Sequence, residues 1–339
     1  MKIRIFNSHP TTLPLNSFII FTVGIIFFMC SSCTQHGKHP SKASGIHYFP
    51  KFKSAFVEPR NVEVWLPSGY SRTDSTRYAV IYMQDGQNLF DDNDAIGKVE
   101  WGVDEALTRL ANEGKIRPCI VVGIWNTRFR YCEYLPQQAF KTFDTLAQHE
   151  IVETYGKLQS DNYLRFIVEE LKPFIDTTFR TRPDRDNTFV IGSSMGGLIS
   201  AYALARYPDV FGGAACLSTH WPVTRYLRND SLTPIRLVHY FGQYLPPASD
   251  HRLYFDYGTL SLDSTYEYYQ MLLDRDLTTL GYTPGYDWLT LKFDGHDHIE
   301  SFWRQRLDIP LEFLLRDVPE LRAQDTPPRT KPQPWRRPL

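Results

Sequence analysis

A turn of small residues between a strand-like run and a helix-like run constrains this chain more than any other stretch. Residues 188–191 are apolar and β-prone, residues 192–196 read Gly-Ser-Ser-Met-Gly, and residues 197–204 are rich in Leu, Ile, Ala and Tyr. Gly-x-Ser-x-Gly between a strand and a helix holds a serine hydroxyl on a sharp turn above a sheet. The two glycines are needed because the strand and helix backbones pass too close together for a Cβ atom. The stretch therefore predicts that Ser194 is a nucleophile.

The spacing of this motif selects Ser194 rather than its neighbour Ser193. Ser193 would need glycines at the positions that Ile191 and Met195 occupy. The alternative interpretation is an ordinary helix start in which Ser194 is the N-cap. The strand-like run before the turn and the helix-like run after it favour the nucleophile.

Strand-like and helix-like segments alternate along most of the chain. Strands are predicted at residues 61–66, 78–83, 119–124, 188–191, 210–217, 252–257 and 287–293. Helices are predicted at residues 99–111, 161–178 with Asp161 as N-cap, 265–280 and 298–315, and residues 125–138 and 223–250 are predicted to be irregular. This alternation predicts an α/β fold, with a mostly parallel sheet, helices on both faces and an antiparallel start.

Length and composition set the domain organisation. The chain has 339 residues, of which 42% are hydrophobic and 14% aromatic, which fits one large α/β domain or two small ones with a sizeable core. The net charge of -1 gives no reason to expect a nucleic acid partner. We predict a signal peptide over 1–32, a tether over 33–50, a catalytic domain over 51–320 and a disordered Pro/Arg-rich tail over 321–339.

The N-terminus has the features of an export signal. Lys2 and Arg4 precede the apolar run Phe18–Cys30, which is short for a membrane span but suits a secretory signal. Ser-Ser-Cys at residues 31–33 resembles the lipobox of bacterial lipoproteins, in which Cys33 would become the lipidated first residue. The sequence thus predicts an exported periplasmic or outer-membrane lipoprotein, held to the membrane through Cys33. A plain cleaved signal and an uncleaved anchor are the alternatives.

Strand ends carry most of the chemically reactive side chains. In an open parallel sheet, ligands bind at the carboxyl ends of the strands. A serine nucleophile needs a general base, which in turn needs an orienting acid, in the chain order Ser, Asp or Glu, His. His296 and His298 both follow the last strand, and Asp256 and Asp263 lie at or just past the strand before it. A metal site formed by the residues around the two histidines is disfavoured, because no third ligand has a recognised spacing.

Four ordered motifs together resemble a known family. Residues 295–303 read Gly-x-x-His-x-Glu-x-x-Trp and are followed by Arg306-Leu307, residues 85–90 read Asp-Gly-Gln-Asn-Leu-Phe, residues 192–197 form the serine turn, and residues 258–259 are Gly-Thr. The chain is similar in these motifs to the esterase D/enterochelin esterase-like family of α/β-hydrolases, from about residue 55 to 317. The resemblance implies an α/β-hydrolase fold.

The resemblance also implies roles for particular residues. It makes His298 the general base, with His296 as the rival, and Asp263 the acid, with Asp256 as the rival. The backbone N–H groups of Met195 and Gln87 would form the oxyanion hole, with the missing side chain of Gly86 letting the backbone approach the substrate. We further predict that three residues of strand-end loops contact the substrate and that His220 lines the pocket. The three predicted substrate contacts are Trp125, Asn126 and Trp221.

These roles imply a serine carboxylic-ester hydrolase that uses an acyl-enzyme and needs no metal or organic cofactor. The substrates implied by the resemblance are acetyl or feruloyl esters of carbohydrates, siderophore lactones, S-formylglutathione, or sugars in acyl transfer. Export argues against S-formylglutathione, a cytosolic metabolite, and aromatic residues in the strand-end loops favour carbohydrate esters. The competing hypothesis is a non-catalytic envelope binding protein on the same scaffold. The sequence does not fix the oligomeric state.

Overall fold

The computed structural model describes residues 45–224, 230–248 and 251–316. The predicted signal peptide with Cys33, the tether before residue 45 and the tail over 321–339 lie outside these residues. None of the helices in the described ranges is both long and apolar enough to cross a membrane.

Within the described residues, eight strands form one sheet, which confirms the predicted α/β fold class. They are β1 (Ile46–Phe52), β2 (Arg60–Trp65), β3 (Ala79–Gln84), β4 (Cys119–Ile124), β5 (Thr188–Ser193), β6 (Gly213–Leu217), β7 (Arg252–Gly258) and β8 (Trp288–Phe293). The spatial order is β1-β2-β4-β3-β5-β6-β7-β8. The six strands β3 to β8 are parallel to one another, whereas β1 and β2 are antiparallel to their neighbours, as predicted.

Eleven α-helices of the described residues cover the sheet. They are α1 (Val103–Asn112), α2 (Arg130–Tyr134), α3 (Gln137–Phe140), α4 (Thr145–Tyr155), α5 (Ser160–Arg165), α6 (Lys172–Thr178), α7 (Met195–Arg206), α8 (Leu232–Tyr244), α9 (Glu267–Thr279), α10 (Glu300–Arg306) and α11 (Asp308–Leu315). Every residue of β3, β4 and β5 is buried, because helices pack on both faces of these central strands. Two apolar clusters, one including Tyr82 and Leu198 and the other Ile81 and Trp303, form the core.

The tether predicted to reach residue 50 is shorter than expected. Residues from Ile46 onward form β1, in which Ile46 pairs with Trp65 of β2. The domain therefore begins about five residues earlier than the predicted boundary at residue 51.

Two segments that were predicted to be irregular contain helices. Residues 223–250 include the thirteen-residue helix α8, which buries Leu237, Val238 and Phe241 on one side. Pro234 resembles a helix breaker, yet it lies in the first helical turn, where a missing N–H costs nothing. Residues 125–138, predicted as a loop, contain α2 and the start of α3.

The long helix predicted over 161–178 is interrupted. Helix α5 passes into a π-helical segment at Phe166–Leu171 and then into α6. Pro173 lies in the first turn of α6 and cannot donate a backbone hydrogen bond, which favours a wider turn before it. Asp161 is not the N-cap, which is Gln159; its carboxylate instead accepts hydrogen bonds from the Gln138 amide and the Tyr202 hydroxyl. The predicted closing helix over 298–315 is likewise two helices, α10 and α11.

Candidate active site

The turn between β5 and α7 brings two backbones into contact. Ser194 adopts φ 56° and ψ −123°, a conformation that L-residues rarely occupy. A Cβ atom on Gly192 would lie 2.5 Å from the carbonyl carbon and oxygen of Gly196, and a Cβ on Gly196 would lie 3.1 Å from Asp85 Oδ2. Glycine is therefore required at residue 192, whereas a Cβ at residue 196 would be tight against Asp85. The strained turn presents the Ser194 side chain above the carboxyl end of the sheet.

The structure brings Ser194, His298 and Asp263 together in one hydrogen-bonded series. His298 Nε2 lies 2.9 Å from Ser194 Oγ, and His298 Nδ1 lies 2.6 Å from Asp263 Oδ1. The three residues follow β5, β8 and β7, so that strand ends far apart in sequence converge at one edge. The His298 side chain is 14% exposed and that of Asp263 is 0% exposed. Solvent therefore reaches the imidazole but not the acid.

The hydrogen bonds of Asp263 fix the tautomer of the imidazole. Asp263 Oδ2 accepts from the Gly258 N–H at 2.6 Å and from the Ser218 hydroxyl at 2.5 Å. Burial alone would raise the pKa of Asp263. The hydrogen bond and charge of His298, together with the hydrogen bonds from Ser218 and Gly258, outweigh burial, so the pKa of Asp263 is lowered. A charged carboxylate only accepts hydrogen bonds, so Nδ1 of His298 carries the proton. Nε2 is then free to accept the hydrogen of the Ser194 hydroxyl.

The two rivals that the sequence left open have other partners. Asp256 accepts hydrogen bonds from the Ser218 N–H at 3.0 Å, from Arg306 Nη2 at 2.9 Å and from the Tyr254 hydroxyl at 2.9 Å. His296 Nδ1 lies 3.5 Å from Arg306 Nη1, and its pKa is lowered by burial and by that positive charge. Neither rival contacts the serine, so the geometry selects Asp263 and His298.

Met195 and Gln87, whose backbone N–H groups we predict to form the oxyanion hole, both lie at the start of a helical turn. Met195 begins α7, and the first N–H groups of a helix have no partner within the helix. Gln87 lies in a short 3₁₀ turn, Gly86–Asn88, directly after β3. The Gln87 side chain accepts a hydrogen bond from the Asn126 N–H at 3.2 Å, which ties this turn to the loop after β4.

The turn that carries Gln87 is held by an ion pair. Asp85 has φ 56° and ψ 47°, and its carboxylate accepts from Arg130 Nε at 2.7 Å and Arg130 Nη2 at 2.8 Å. Asn126 Nδ2 donates to the same carboxylate at 2.6 Å. Arg130 and Asn126 thus fix a left-handed residue at the start of the turn.

Gly86 is required for a reason other than the predicted one. We expected its missing side chain to let the backbone approach the substrate. A Cβ on Gly86 would instead lie 2.5 Å from the carbonyl carbon of Gly123 and 2.6 Å from the nitrogen of Ile124. The glycine therefore allows the turn after β3 to pack against β4, which sets the position of Gln87.

The structure gives the predicted substrate contacts different environments. Trp221 is 1% exposed and donates its indole hydrogen bond to Gln270, so it is a core residue and the prediction is wrong for it. Trp125 donates to Glu63 of β2 at 3.1 Å and lies partly exposed at the edge of the loop after β4. Asn126 contacts the turn that carries Gln87. His220 was predicted to line the pocket, but it is only 4% exposed.

Three residues make contacts around the site that the sequence did not predict. Ser218 and Arg306 surround the buried side of Asp263, and Arg130 binds Asp85. Ser218 directly follows β6, so the rule that reactive residues follow parallel strands could have identified it. Arg130 also lies in the segment after a strand, β4, whereas Arg306 could not be identified in this way, because its partner Asp256 lies 50 residues away in sequence.

Comparisons with known proteins agree with this geometry. A family model described as Putative esterase matches residues 54–306. The "Uncharacterized protein YbbA" of Bacillus subtilis is 28% identical over 163 residues, which cover 48% of this chain and 58% of YbbA. The "Endo-1,4-beta-xylanase/feruloyl esterase" of Xylanibacter ruminicola is 29% identical over 165 residues, which cover 47% of this chain and 19% of that protein. The match thus spans less than two thirds of either relative.

A solved structure extends the comparison to the fold. The enterobactin esterase FES of Shigella flexneri, crystallised in the presence of enterobactin, has a TM-score of 0.59 at 17% identity, covering 79% of this chain and 58% of FES. At that identity the likeness concerns the fold. The family model spans β2 to α10 and includes the serine turn, both rival acids and both rival histidines. The chain therefore belongs to the Putative esterase family.

Proposed function

We propose that this enzyme cleaves esters through a Ser194–His298–Asp263 triad and an acyl-enzyme intermediate. The observation that carries the proposal is the unbroken hydrogen-bonded series from Ser194 Oγ to His298 and on to Asp263. A binding protein on this scaffold would not need to keep a strained serine against a base whose acid is fully buried.

The mechanism follows from the hydrogen-bond donors and acceptors of these residues. His298 Nε2 takes the proton of Ser194 as Oγ attacks the ester carbonyl carbon, and the carbonyl oxygen becomes an oxyanion that accepts the N–H groups of Met195 and Gln87. The protonated His298 gives its proton to the leaving alkoxide, and the C–O bond of the ester breaks. A water molecule, deprotonated by His298, then attacks the acyl-enzyme and releases the acid. Asp263 orients the imidazole and stabilises its charged form throughout.

We propose acetyl or feruloyl esters of carbohydrates as substrates, with an aromatic acyl group favoured. The relative from Xylanibacter ruminicola carries feruloyl esterase in its name. The loops that carry the acid and the base also expose apolar side chains, Leu260 at 46% and Ile299 at 44%. Apolar surface beside a reactive serine suits a large, planar acyl group better than an acetyl group.

We also propose that the enzyme works outside the cytoplasm, anchored through a lipid on Cys33. The support is the sequence Ser-Ser-Cys after an apolar run of signal-peptide length. Radiolabelled palmitate should be incorporated into the full-length protein in bacterial cells and should not be incorporated into a Cys33→Ala variant. Equal labelling of the two proteins would refute the anchor.

Hydrolysis assays with matched serine variants test the proposed function. The full-length protein should release p-nitrophenol from p-nitrophenyl acetate and ferulate from a feruloylated arabinose. Ser194→Ala should lose about 10³-fold or more of kcat, because the serine and histidine act as a unit. Ser193→Ala changes the neighbouring hydroxyl on the same turn and should keep most of the activity.

The assay outcomes separate the candidate functions. Higher kcat/KM for the feruloyl than for the acetyl sugar supports the aromatic acyl group. Cleavage of a siderophore lactone but not of sugar esters would move the substrate to that class, and acyl transfer to an added sugar in place of hydrolysis would make the enzyme an acyltransferase. Equal activity of the Ser194→Ala variant and its parent would exclude the triad.

A further inference from the structure

The acid side of the site continues into a buried group of charged residues. The side chain of Arg306, at the end of α10, is 1% exposed, and that of Asp256 in β7 is 0% exposed. Arg306 Nη2 donates to Asp256 Oδ1 at 2.9 Å and to the Ser218 hydroxyl at 2.7 Å. The same nitrogen lies 4.0 Å from Asp263 Oδ2. Arg306 therefore lies between the acid that contacts His298 and a second carboxylate buried behind it.

Ser218 connects these groups in one direction. Its hydroxyl accepts hydrogen bonds from Arg306 Nη2 and from Trp303 Nε1, the latter at 3.0 Å. Both lone pairs of the oxygen are then occupied, so its single hydrogen is directed to Asp263 Oδ2 at 2.5 Å. The backbone N–H of Ser218 donates to Asp256 Oδ1 at 3.0 Å. The hydroxyl is thus oriented by its neighbours rather than free to rotate.

This arrangement is not one that stability alone favours. A buried ion pair contributes little net stability, because desolvation of the charges offsets their attraction. Arg306 Nε is buried and has no acceptor among the residues that the structure describes. A buried donor without an acceptor destabilises a fold. Charges that are kept in this way beside a reactive group point to a use in the reaction.

We propose that Arg306 and Ser218 are positioning residues that hold Asp263 in register with His298 and set the pH range in which the base is active. The inference rests on the proposed function, which makes His298 the base and Asp263 its acid. Ser218 O–H and Gly258 N–H occupy Asp263 Oδ2, so only Oδ1 is left for His298 Nδ1. Arg306 orients the Ser218 hydroxyl and balances the charge of Asp256.

The effect on proton transfer has a definite sign. Several ionisable groups surround His298, either facing the imidazole or lying directly behind a group that faces it. They are Asp263, Asp297, Glu300, Tyr266, Arg306, Asp256, His296, Asp85 and Arg130. The Ser218 hydroxyl and the Arg306 cation draw negative charge away from the imidazole. Without either one, the imidazole faces more negative charge and takes up a proton more readily. Because the neutral imidazole is the base, the acid limb of kcat/KM moves to higher pH.

The pH profile of kcat/KM tests the proposal with p-nitrophenyl acetate and the full-length protein, between about pH 5 and pH 10. Ser218→Ala should move the acid limb up by about 0.5 to 1 pH unit and lower kcat/KM about 3- to 10-fold at the acid end. Arg306→Lys keeps the charge but not the planar guanidinium whose Nη2 donates to both Asp256 and Ser218, so it should lower kcat with a smaller pH shift. Arg304→Met removes a cation from the same helix, 43% exposed, and is the matched control that should leave the profile unchanged.

A paired variant protects the test against misfolding. Arg306→Met leaves Asp256 buried without its cation, so Arg306→Met combined with Asp256→Asn removes both charges together. This double variant should also move the acid limb upward, because Ser218 loses the group that orients it. If the parent shows Ser194-dependent hydrolysis and the variants lose activity equally at every pH, or lose none, the positioning role is overturned. If the parent shows no Ser194-dependent hydrolysis, the proposed function fails and this inference fails with it.

Discussion

Two aspartate–arginine pairs flank the serine turn, one on each side, and they differ in their exposure to solvent. On the acid side, Asp256 and Arg306 are joined by one hydrogen bond of 2.9 Å and have side chains 0% and 1% exposed. On the oxyanion side, Asp85 and Arg130 are joined by two bonds of 2.7 and 2.8 Å, and their side chains are 4% and 32% exposed. The same residue types therefore hold the two halves of the site in different environments.

The difference indicates which half meets the substrate. The acid half is closed, so the orientation of Asp263 depends on protein groups alone. On the oxyanion half, the guanidinium of Arg130 is partly in solvent and lies over the ring of Tyr134, with 5.3 Å between Cζ and the ring centroid. Water and salt weaken an exposed ion pair, whereas breaking a buried ion pair destabilises the fold strongly. We therefore expect the acid half to govern folding and proton transfer, and the oxyanion half to govern turnover with little effect on folding.

The largest expected effect separates the two carboxylates of the acid half. Asp263→Asn should lower kcat about 10⁴-fold, because an amide at this position favours the wrong tautomer of His298. Asp256→Asn keeps the size of the side chain and does not contact the imidazole, so it should keep far more activity. Steady-state kinetics on p-nitrophenyl acetate measures both. Equal losses in the two variants would contradict the assignment of Asp263 as the acid.

The second effect concerns the stability of the buried pair. Arg306→Met should lower the free energy of unfolding by about 3 to 5 kcal/mol, because it leaves a buried carboxylate without its cation. Arg130→Met, on the half-exposed pair, should lower it by about 1 kcal/mol or less. Urea unfolding of the two variants and the parent measures the difference. Similar losses for both would remove the contrast between the two halves.

The sequence predicted the serine turn and the strands around it, but it did not predict the contrast between the two aspartate–arginine pairs. The serine turn and the central strands depend on local patterns of glycine and apolar residues, so they were predictable. The choice between Asp256 and Asp263 depends on which carboxylate the fold places beside His298. Asp256 lies within β7, where Arg306 from α10 reaches it, whereas Asp263 follows the turn after that strand.

Long-range contacts explain the predictions that were wrong. Trp221 follows a strand end and was expected to meet the substrate. The preceding residue, His220, donates its N–H to the Ser194 carbonyl oxygen at 3.2 Å, and the Trp221 indole turns toward Gln270 of α9. The packing of Gly86 against Gly123 was not predicted either. Neither partner is close in sequence, so no local pattern could reveal it.

The third effect probes the oxyanion half directly. Asp85→Asn keeps the size of the side chain but weakens its bonds to Arg130, which loosens the turn that carries Gln87. We expect kcat to fall about 10-fold with little change in KM, because an oxyanion hole acts on the transition state rather than on the bound ester. A rise in KM with unchanged kcat would instead assign Asp85 and Arg130 to substrate binding.

The smallest expected effect concerns Asp104 of α1, a carboxylate that forms no ion pair with another of the described residues. Burial, with a contribution from the neighbouring Glu105, raises the pKa of Asp104 in α1 from 3.8 to about 7. Between these pH values the folded protein keeps a proton that the unfolded chain has released, so the free energy of unfolding falls as the pH rises. Asp104→Asn should therefore raise Tm at about pH 8 and change it little at about pH 4, whereas the exposed Glu113→Gln should change neither. An equal gain at both pH values would contradict the raised pKa.

Covalent labelling tests the central claim, that Ser194 is a nucleophile activated by His298, most directly. The full-length protein would be treated with a fluorophosphonate, digested, and mapped by mass spectrometry, beside Ser194→Ala, Ser193→Ala and His298→Gln variants. We predict one adduct, on Ser194, which persists in Ser193→Ala, is absent in Ser194→Ala and forms much more slowly in His298→Gln. An adduct on another residue, or ester hydrolysis that continues after Ser194 is replaced, would contradict the account.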